Sequence, residues 1–274
     1  MPTVRALLSE APAGESRREA EILLGHVLGR DRAWLMSHDT DPLPPEPVAR
    51  YRALWARRQA GEPVAYLTRR RGFWTLDLAV GPEVLIPRPE TELLVETALG
   101  LIPTDAAWDL ADLGTGSGAI ALALASERPA CRVVATDKSP GALAVAEANA
   151  RDHGLANLRF VQGEWWAPLA GERFHLVVSN PPYVAEADPH LARGDLRFEP
   201  PTALASGPDG LDDLRRIIKA APTHLHPGGH LLLEHGYDQG EAVRALLRTA
   251  GFSEVQTWRD LGGNERVTQG KWEG

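Results

Sequence analysis

From residue 108 onward, short apolar runs alternate with helical stretches, and this alternation constrains the fold more than any other feature of the chain. The runs cover residues 108–113, 132–135, 158–161, 174–178 and 230–233, with helices expected from Ala119, over 140–153 and over 211–220. A helix over 239–250 and two strand-like stretches, 253–258 and 264–271, complete the series. Strands joined through helices lie parallel, so the pattern predicts a doubly wound, mostly parallel α/β sheet with helices on both faces. Ligands bind such sheets beyond the carboxyl ends of the strands, where the residues just after each strand become the candidates. A chain of 274 residues, 43% hydrophobic and 24% charged, can fill that core, and its composition excludes disorder and collagen.

The front end reads differently. Apolar residues recur at helical spacing from Val4 to Trp55, which predicts a small N-terminal helical domain over 1–75. Residues 41–47 hold four prolines and are expected to form a loop before the next helix, since proline lacks an amide hydrogen and disfavours α geometry just before itself. Residues 72–87 alternate and carry a Gly81-Pro82 break, which suggests two short strands joined by a turn; 76–87 read as a β-hairpin linker, leaving 88–274 as the main domain. There Pro89, Glu90 and Glu92 favour the start of a helix running to about Leu101.

Charge also divides the chain. Residues 1–75 carry 12 Arg against 9 Asp and Glu, a balance of +3, whereas the remainder carries 17 basic and 28 acidic residues, a balance of −11. A main domain this acidic argues against a protein that grips long duplex DNA, because that grip rests on neutralised phosphates. A single cysteine, Cys131, cannot form an internal disulfide, and its apolar surroundings suggest a core thiol. No run approaches the ~18 apolar residues of a membrane span, and the start lacks the apolar region of a secretory signal, so a cytoplasmic protein without membrane contact is expected.

The chemistry gathers at the expected strand ends. After the first comes Asp112-Leu113-Gly114-Thr115-Gly116-Ser117-Gly118, where alternate glycines allow a tight turn and bring a ligand against bare amides at a helix start. The spacing lacks the extra residue of the dinucleotide fingerprint, and no P-loop lysine follows. Asp137 stands 19 residues after Gly118, close to the ~20 expected of a carboxylate that binds ribose hydroxyls. Glu164 and Trp165 follow the third strand and suit hydrogen bonding and cover for a base, although Trp165 and Trp166 also read as a core pair. The fourth strand ends in Asn180-Pro181-Pro182-Tyr183. Two prolines remove two backbone donors and leave carbonyl acceptors beside the Asn180 side chain, a wall suited to a planar NH2 group with Tyr183 against its flat face. Such an arrangement fixes the nitrogen toward an electrophile, most naturally a methyl on a sulfonium.

These motifs resemble class I S-adenosylmethionine-dependent methyltransferases that act on planar nitrogens. Four further segments narrow the resemblance to the PrmC/HemK family of release-factor glutamine methyltransferases: Ile86-Pro87-Arg88-Pro89-Glu90-Thr91-Glu92, Phe198-Glu199-Pro200-Pro201-Thr202-Ala203-Leu204, Leu232-Leu233-Glu234-His235-Gly236 and Asn264-Glu265-Arg266-Val267. The resemblance covers nearly the whole chain and implies a Rossmann-like methyltransferase sheet and transfer of a methyl from S-adenosylmethionine, leaving S-adenosylhomocysteine. The acceptor it implies is the side-chain amide nitrogen of the glutamine in the Gly-Gly-Gln loop of peptide-chain release factors. It places Gly114, Thr115, Gly116, Ser117 and Gly118 along the cofactor, Asp137 at its ribose and Trp165 by its adenine, with Glu164 a further cofactor-binding residue. Asn180 would touch cofactor and substrate; Pro181, Pro182 and Tyr183 would hold the glutamine. Glu164 departs from the Asp common at its position. Residues 1–75 are expected to dock the release factor, and no stable nucleic-acid complex is expected. The alternatives are a glutamine in another, ribosomal, protein or the amino group of a nucleic-acid base. A metal is not expected, because His224, His226, His230 and His235 fall in a segment read as a loop entering a strand rather than on a helical His-Glu-x-x-His face.

Overall fold

Apolar spacing and capping set the first helices. Thr3 and Asp31 accept from the amides of Ala6 and Trp34 at the starts of α1 (Val4–Ser9) and α3 (Arg32–Ser37), which flank α2 (Glu15–Leu28). With α4 (Pro45–Gln59) and α5 (Val64–Thr68) they enclose a core that includes Val4, Leu7, Leu23, Leu24, Tyr51 and Trp55. Ile22, which the helical spacing would place with Leu23 and Val27 on the apolar face, is 48% exposed. The proline-rich stretch is also partly helical: α4 begins at Pro45 and includes Pro47. Both stand in the first turn, whose amides have no intrahelical acceptor, so the missing hydrogens cost nothing there. The computed structural model describes residues 1–274 and divides the chain into two compact units, Met1–Arg70 and Arg71–Gly274.

A two-stranded hairpin, β1 (Arg70–Phe73) and β2 (Leu76–Ala79), begins at the boundary. Its turn is Trp74 and Thr75 rather than the expected Gly81-Pro82 break. Trp74 takes a positive φ of 56°, and two carboxylates hold it: its amide donates to Glu92 at 2.8 Å and its indole to Glu127 at 2.8 Å. Tertiary bonds here outweigh the local turn signal.

The larger unit continues through α6 (Glu92–Leu101), β3 (Asp109–Leu113), α7 (Ala119–Glu127), β4 (Arg132–Asp137), α8 (Pro140–Asp152), β5 (Leu158–Gln162) and β6 (Phe174–Ser179). It ends with α9 (Asp212–Ala220), β7 (Leu225–Glu234), α10 (Gly240–Thr249), β8 (Ser253–Arg259) and β9 (Glu265–Trp272). The seven strands lie in the order β5-β4-β3-β6-β7-β9-β8, parallel except for β9. Side chains alternate between faces, as the strand period requires. Leu110, Leu176, Val178 and Leu232 pack with α6 and α7 on one face, while Ala111, Leu113, Val177, Leu231 and Leu233 pack with α9 and α10 on the other. Cys131 is buried, its thiol against the Ala106 carbonyl at 3.2 Å. Strand β7 starts five residues before the expected His230, so the histidine-rich segment is strand with a register shift rather than a loop. The strand order reverses between β3 and β6, which puts the topological switch point, and hence the ligand crevice, at their carboxyl ends.

Candidate active site

A cavity of about 310 Å³ opens at that switch point, within the range of small-molecule sites. Gly114, Thr115, Gly116, Ser117, Asp137, Glu164, Trp165, Asn180 and Pro182 line it, and so do Arg88, Thr91 and Thr202 from segments distant in sequence. Gly118, Pro181 and Tyr183 do not line it.

The glycine turn is held from below. The amides of Gly114 and Thr115 both donate to the Thr136 carbonyl at 2.9 Å, and Asp112 accepts from the Thr115 hydroxyl at 2.6 Å and the Ala121 amide at 3.2 Å. Burial pushes the Asp112 carboxyl up to about 7. Asn149 on α8 donates to the Ser117 and Ala79 carbonyls, binding the turn and the hairpin to one helix. Gly114, Gly116 and Gly118 all have positive φ. A side chain on Gly114 would meet the Trp165 ring at 3.0 Å, and one on Gly118 would meet Leu122 at 2.5 Å. At Gly116 nothing lies within 4 Å, so its bare backbone faces open space.

Asp137 is fixed before any ligand arrives: its two oxygens accept the amides of Gly116 and Ser139, each at 2.9 Å. Each carboxylate oxygen keeps a lone pair for a hydroxyl. Trp165, half-buried with φ 49°, donates its indole hydrogen to Asp213 at 3.2 Å, whereas Trp166 is core, donating to the Ile217 carbonyl at 3.0 Å. Glu164 is exposed at the cavity rim, its carboxylate 3.5 Å from Arg216. The open floor at Gly116, the fixed carboxylate of Asp137 and the half-buried indole together fit a nucleoside-bearing cofactor.

On the opposite wall, Asn180 donates its side-chain NH2 to the Thr91 hydroxyl at 3.2 Å. Pro181 is buried, and Tyr183 points its hydroxyl at the buried Glu234 at 3.4 Å. Burial together with Glu234 raises the Tyr183 hydroxyl above its ordinary range, and burial pushes Glu234 up to about 7. Glu199, fully buried, accepts from the Ile86 amide at 3.1 Å and from Arg88, tying its own segment to one that lies 113 and 111 residues away in sequence. Arg88, Thr91, Glu199 and Glu234 were singled out in the sequence only within longer segments, without roles; local periodicity carries no sign of contacts at such separation.

The four histidines of β7 and its approach do not converge. His224 stacks on Trp166, and His235 is buried between the Gly236 carbonyl and the Thr268 hydroxyl. His226 instead meets His175 and Asp109, with ligating atoms within 4.8 Å of one another. Arg132 engages both Asp109 oxygens, at 2.7 and 2.9 Å, and His175 Nδ1 accepts the Asp109 amide at 3.0 Å, which places the ring proton on Nε2. A cation there would have to share Asp109 with the guanidinium and change the His175 tautomer.

Residues 3–68 match the PrmC N-terminal domain family and residues 89–195 the methyltransferase small domain family. Over all 274 residues the chain is 55% identical to a release factor glutamine methyltransferase of Xylella fastidiosa, covering 100% of both. It is 50% identical to that of Escherichia coli, over 98% of this chain and 97% of the relative. A methyltransferase of Pyrococcus furiosus shares the fold, with a TM-score of 0.55 at 19% identity over 80% of this chain and 97% of that one. Matches that span both the helical unit and the sheet, at about half of all positions, place this chain in the release factor glutamine methyltransferase family.

Proposed function

We propose that the chain transfers a methyl group from S-adenosylmethionine to the side-chain amide nitrogen of the glutamine in the Gly-Gly-Gln loop of peptide-chain release factors, in the cytoplasm. One observation carries this reading: Asn180 and Pro182 share a single cavity with the glycine turn and Asp137, so an amide acceptor and a nucleoside cofactor can meet there. When bound, the cofactor supplies a sulfonium methyl, whose transfer returns an electron pair to sulfur and releases one amide proton to water.

The chain's own residues orient. Gly116 offers the cofactor its bare backbone, Asp137 its fixed oxygens and Trp165 its ring face. The Asn180 side-chain oxygen and the Pro181 carbonyl each take one hydrogen of the incoming NH2, turning the nitrogen toward the electrophile, while Pro182 and Tyr183 stiffen that wall. Holding reactants in a near-attack geometry supplies much of the barrier reduction in reactions of this kind.

The helical unit would dock the body of the release factor. Several of its arginines are paired within the unit, Arg57 with Glu62, Arg58 with Glu19 and Arg50 with Glu46, the last pair at 3.6 Å with side chains 58% and 76% exposed.

The test is to incubate the purified chain with labelled cofactor and release factor and map the added mass. One methyl on the Gly-Gly-Gln glutamine is expected; label on a ribosomal protein or on a nucleic-acid base would overturn the substrate assignment. Asn180→Ala is expected to lose activity and keep cofactor binding, and an Asn180→Ala chain that methylates at the wild-type rate would remove Asn180 from its role.

A further inference from the structure

Two consecutive tryptophans follow β5, and both deliver their indole hydrogen to one helix. Trp166, 6% exposed, donates to the Ile217 carbonyl at 3.0 Å, and Trp165 donates to Asp213 Oδ1 at 3.2 Å. Asp213 and Ile217 stand one turn apart on α9, so the two rings dock along the same face of that helix. Trp166 is the buried anchor. Trp165, at φ 49°, lines the cavity instead, with one edge of its ring over Gly114, where an added side chain would meet it at 3.0 Å.

The torsion that turns an indole about its stem has two broad wells, which exchange the nitrogen edge and the carbon edge of the ring. Asp213 separates them by chemistry. An indole nitrogen only donates and a carboxylate only accepts, so their bond exists in one placement of the ring alone. Asp213 does not line the cavity, and its side chain is 14% exposed. Arg216, 3.9 Å from the same oxygen and 62% exposed, is too distant and too well solvated to set that geometry.

The carboxylate is itself held. The Asp213 amide donates to Ser206 Oγ at 2.8 Å, and the Ser206 hydroxyl donates to Asp213 Oδ2 at 2.8 Å. Ser206, 3% exposed, passes its own amide hydrogen to the Val184 carbonyl at 2.9 Å, and Val184 directly follows Tyr183. One side chain on the first turn of α9 thus fixes the ring beside the glycine turn and the chain that leaves the acceptor wall.

We propose that Asp213 is a positioning residue: through the Trp165 indole it presets the ring face that receives the adenine of the cofactor, and Ser206 holds its carboxylate in place. The inference rests on the function proposed above.

The test measures the Kd for S-adenosylmethionine by titration calorimetry in full chains carrying Asp213→Leu, Asp213→Asn or Trp165→Phe. Asp213→Leu keeps the bulk and removes the acceptor, and is expected to raise Kd about 5-fold or more, the lower end of the loss when a base–aromatic stack is removed. Asp213→Asn keeps an oxygen for the indole and is expected to stay near the wild-type Kd. In a Trp165→Phe chain, which has no indole hydrogen, Asp213→Leu is expected to change Kd no further. A second readout needs no ligand: the Trp165 indole signal in ¹⁵N NMR, assigned by its loss in Trp165→Phe, is expected to move in Asp213→Leu and to stay close to its place in Asp213→Asn. A smaller rise in Kd for Asp213→Leu, equal loss in Asp213→Asn, the same rise in the Trp165→Phe background, or an unmoved indole signal in Asp213→Leu would each overturn the proposal. So would failure of both Asp213→Leu and Asp213→Ala to fold while Asp213→Asn folds, since the bond to Ser206 would then be the structural task of this residue. A wild-type chain that does not bind S-adenosylmethionine refutes the functional reading and this inference with it, whereas wild-type binding that Asp213→Leu leaves unchanged refutes the positioning role alone.

Discussion

Two glycines in one turn, Gly116 and Gly118, should answer the same substitution in opposite ways. Both have positive φ, 56° and 85°, so an alanine at either costs about 1–2 kcal/mol of backbone strain. At Gly118 the new methyl would stand 2.5 Å from Leu122 Cδ1 and 3.1 Å from the Ala146 methyl, in a core where Leu122 and Ala146 are fully buried. Overpacking of that kind adds about 1–3 kcal/mol, so Gly118→Ala is expected to lose about 2–5 kcal/mol of stability. In a unit of this size that corresponds to a Tm lower by roughly 4–20 °C. At Gly116 the methyl meets no atom within 4 Å and stands in the cavity instead. Gly116→Ala should therefore remain folded, with only the strain cost of roughly 2–8 °C in Tm, and lose cofactor affinity, by about 1–3 kcal/mol or roughly 5- to 150-fold in Kd if the methyl crowds the ligand as it would a packed core. Thermal melts and titration calorimetry with S-adenosylmethionine on both variants separate the two effects. A Gly116→Ala chain that binds cofactor like the wild type would show that the open side of this turn is not where the cofactor lies, and a Gly118→Ala chain as stable as Gly116→Ala would refute the overpacking at Leu122 and Ala146.

Other expectations follow from single contacts. Glu199→Gln keeps the shape but weakens a charge-assisted bond to Arg88 in a fully buried site, and should cost about 1.5–3 kcal/mol by denaturant melts and lower kcat/KM for release factor; wild-type values of both would be evidence against a role for the Arg88 clamp. Asp112, pushed up to about 7 by burial, holds its proton in the folded chain at pH values where the unfolded chain has released it. Its contribution to stability is thus complete below about pH 4 and disappears as the pH rises through 7, about 2–3 kcal/mol between pH 5 and 8. Asp112→Asn should flatten that part of the Tm-pH curve, and a variant curve parallel to the wild type would contradict the assignment. Charge reversal at Arg50 is expected to raise KM for release factor at low ionic strength and not at high; no change at low salt would rule out electrostatic docking there.

What the sequence revealed depended on how local its physics was. Alternating apolar runs showed the parallel sheet, and Gly114 to Gly118 with Asp137 marked where a nucleoside is proposed to lie, because each signal sits within a short stretch. The hairpin turn was misplaced for the same reason: Gly81-Pro82 is the stronger local breaker, whereas Trp74 is held in its turn by Glu92 and Glu127, far along the chain. Residues 225–229 contain Pro-Gly-Gly and read as loop, yet pairing of Leu225 with Phe174 and of Gly229 with Trp272 draws them into β7. Pro45 and Pro47 were read as excluding helix, a rule that lapses in a first turn. Arg88, Thr91, Glu199 and Glu234 reach the site only through tertiary contact, so their chemistry became legible when the strands were in place.

The two consecutive prolines after β6 have one more consequence. With both nitrogens lacking hydrogen, and the Asn180 amino group already taken by Thr91, the Asn180–Pro182 wall of the proposed target pocket offers lone pairs rather than protons. A glutamate side chain has nearly the shape of a glutamine but would bring two anionic oxygens against that lining. That wall would thus favour a release factor with an intact glutamine over one whose glutamine had been hydrolysed to the acid.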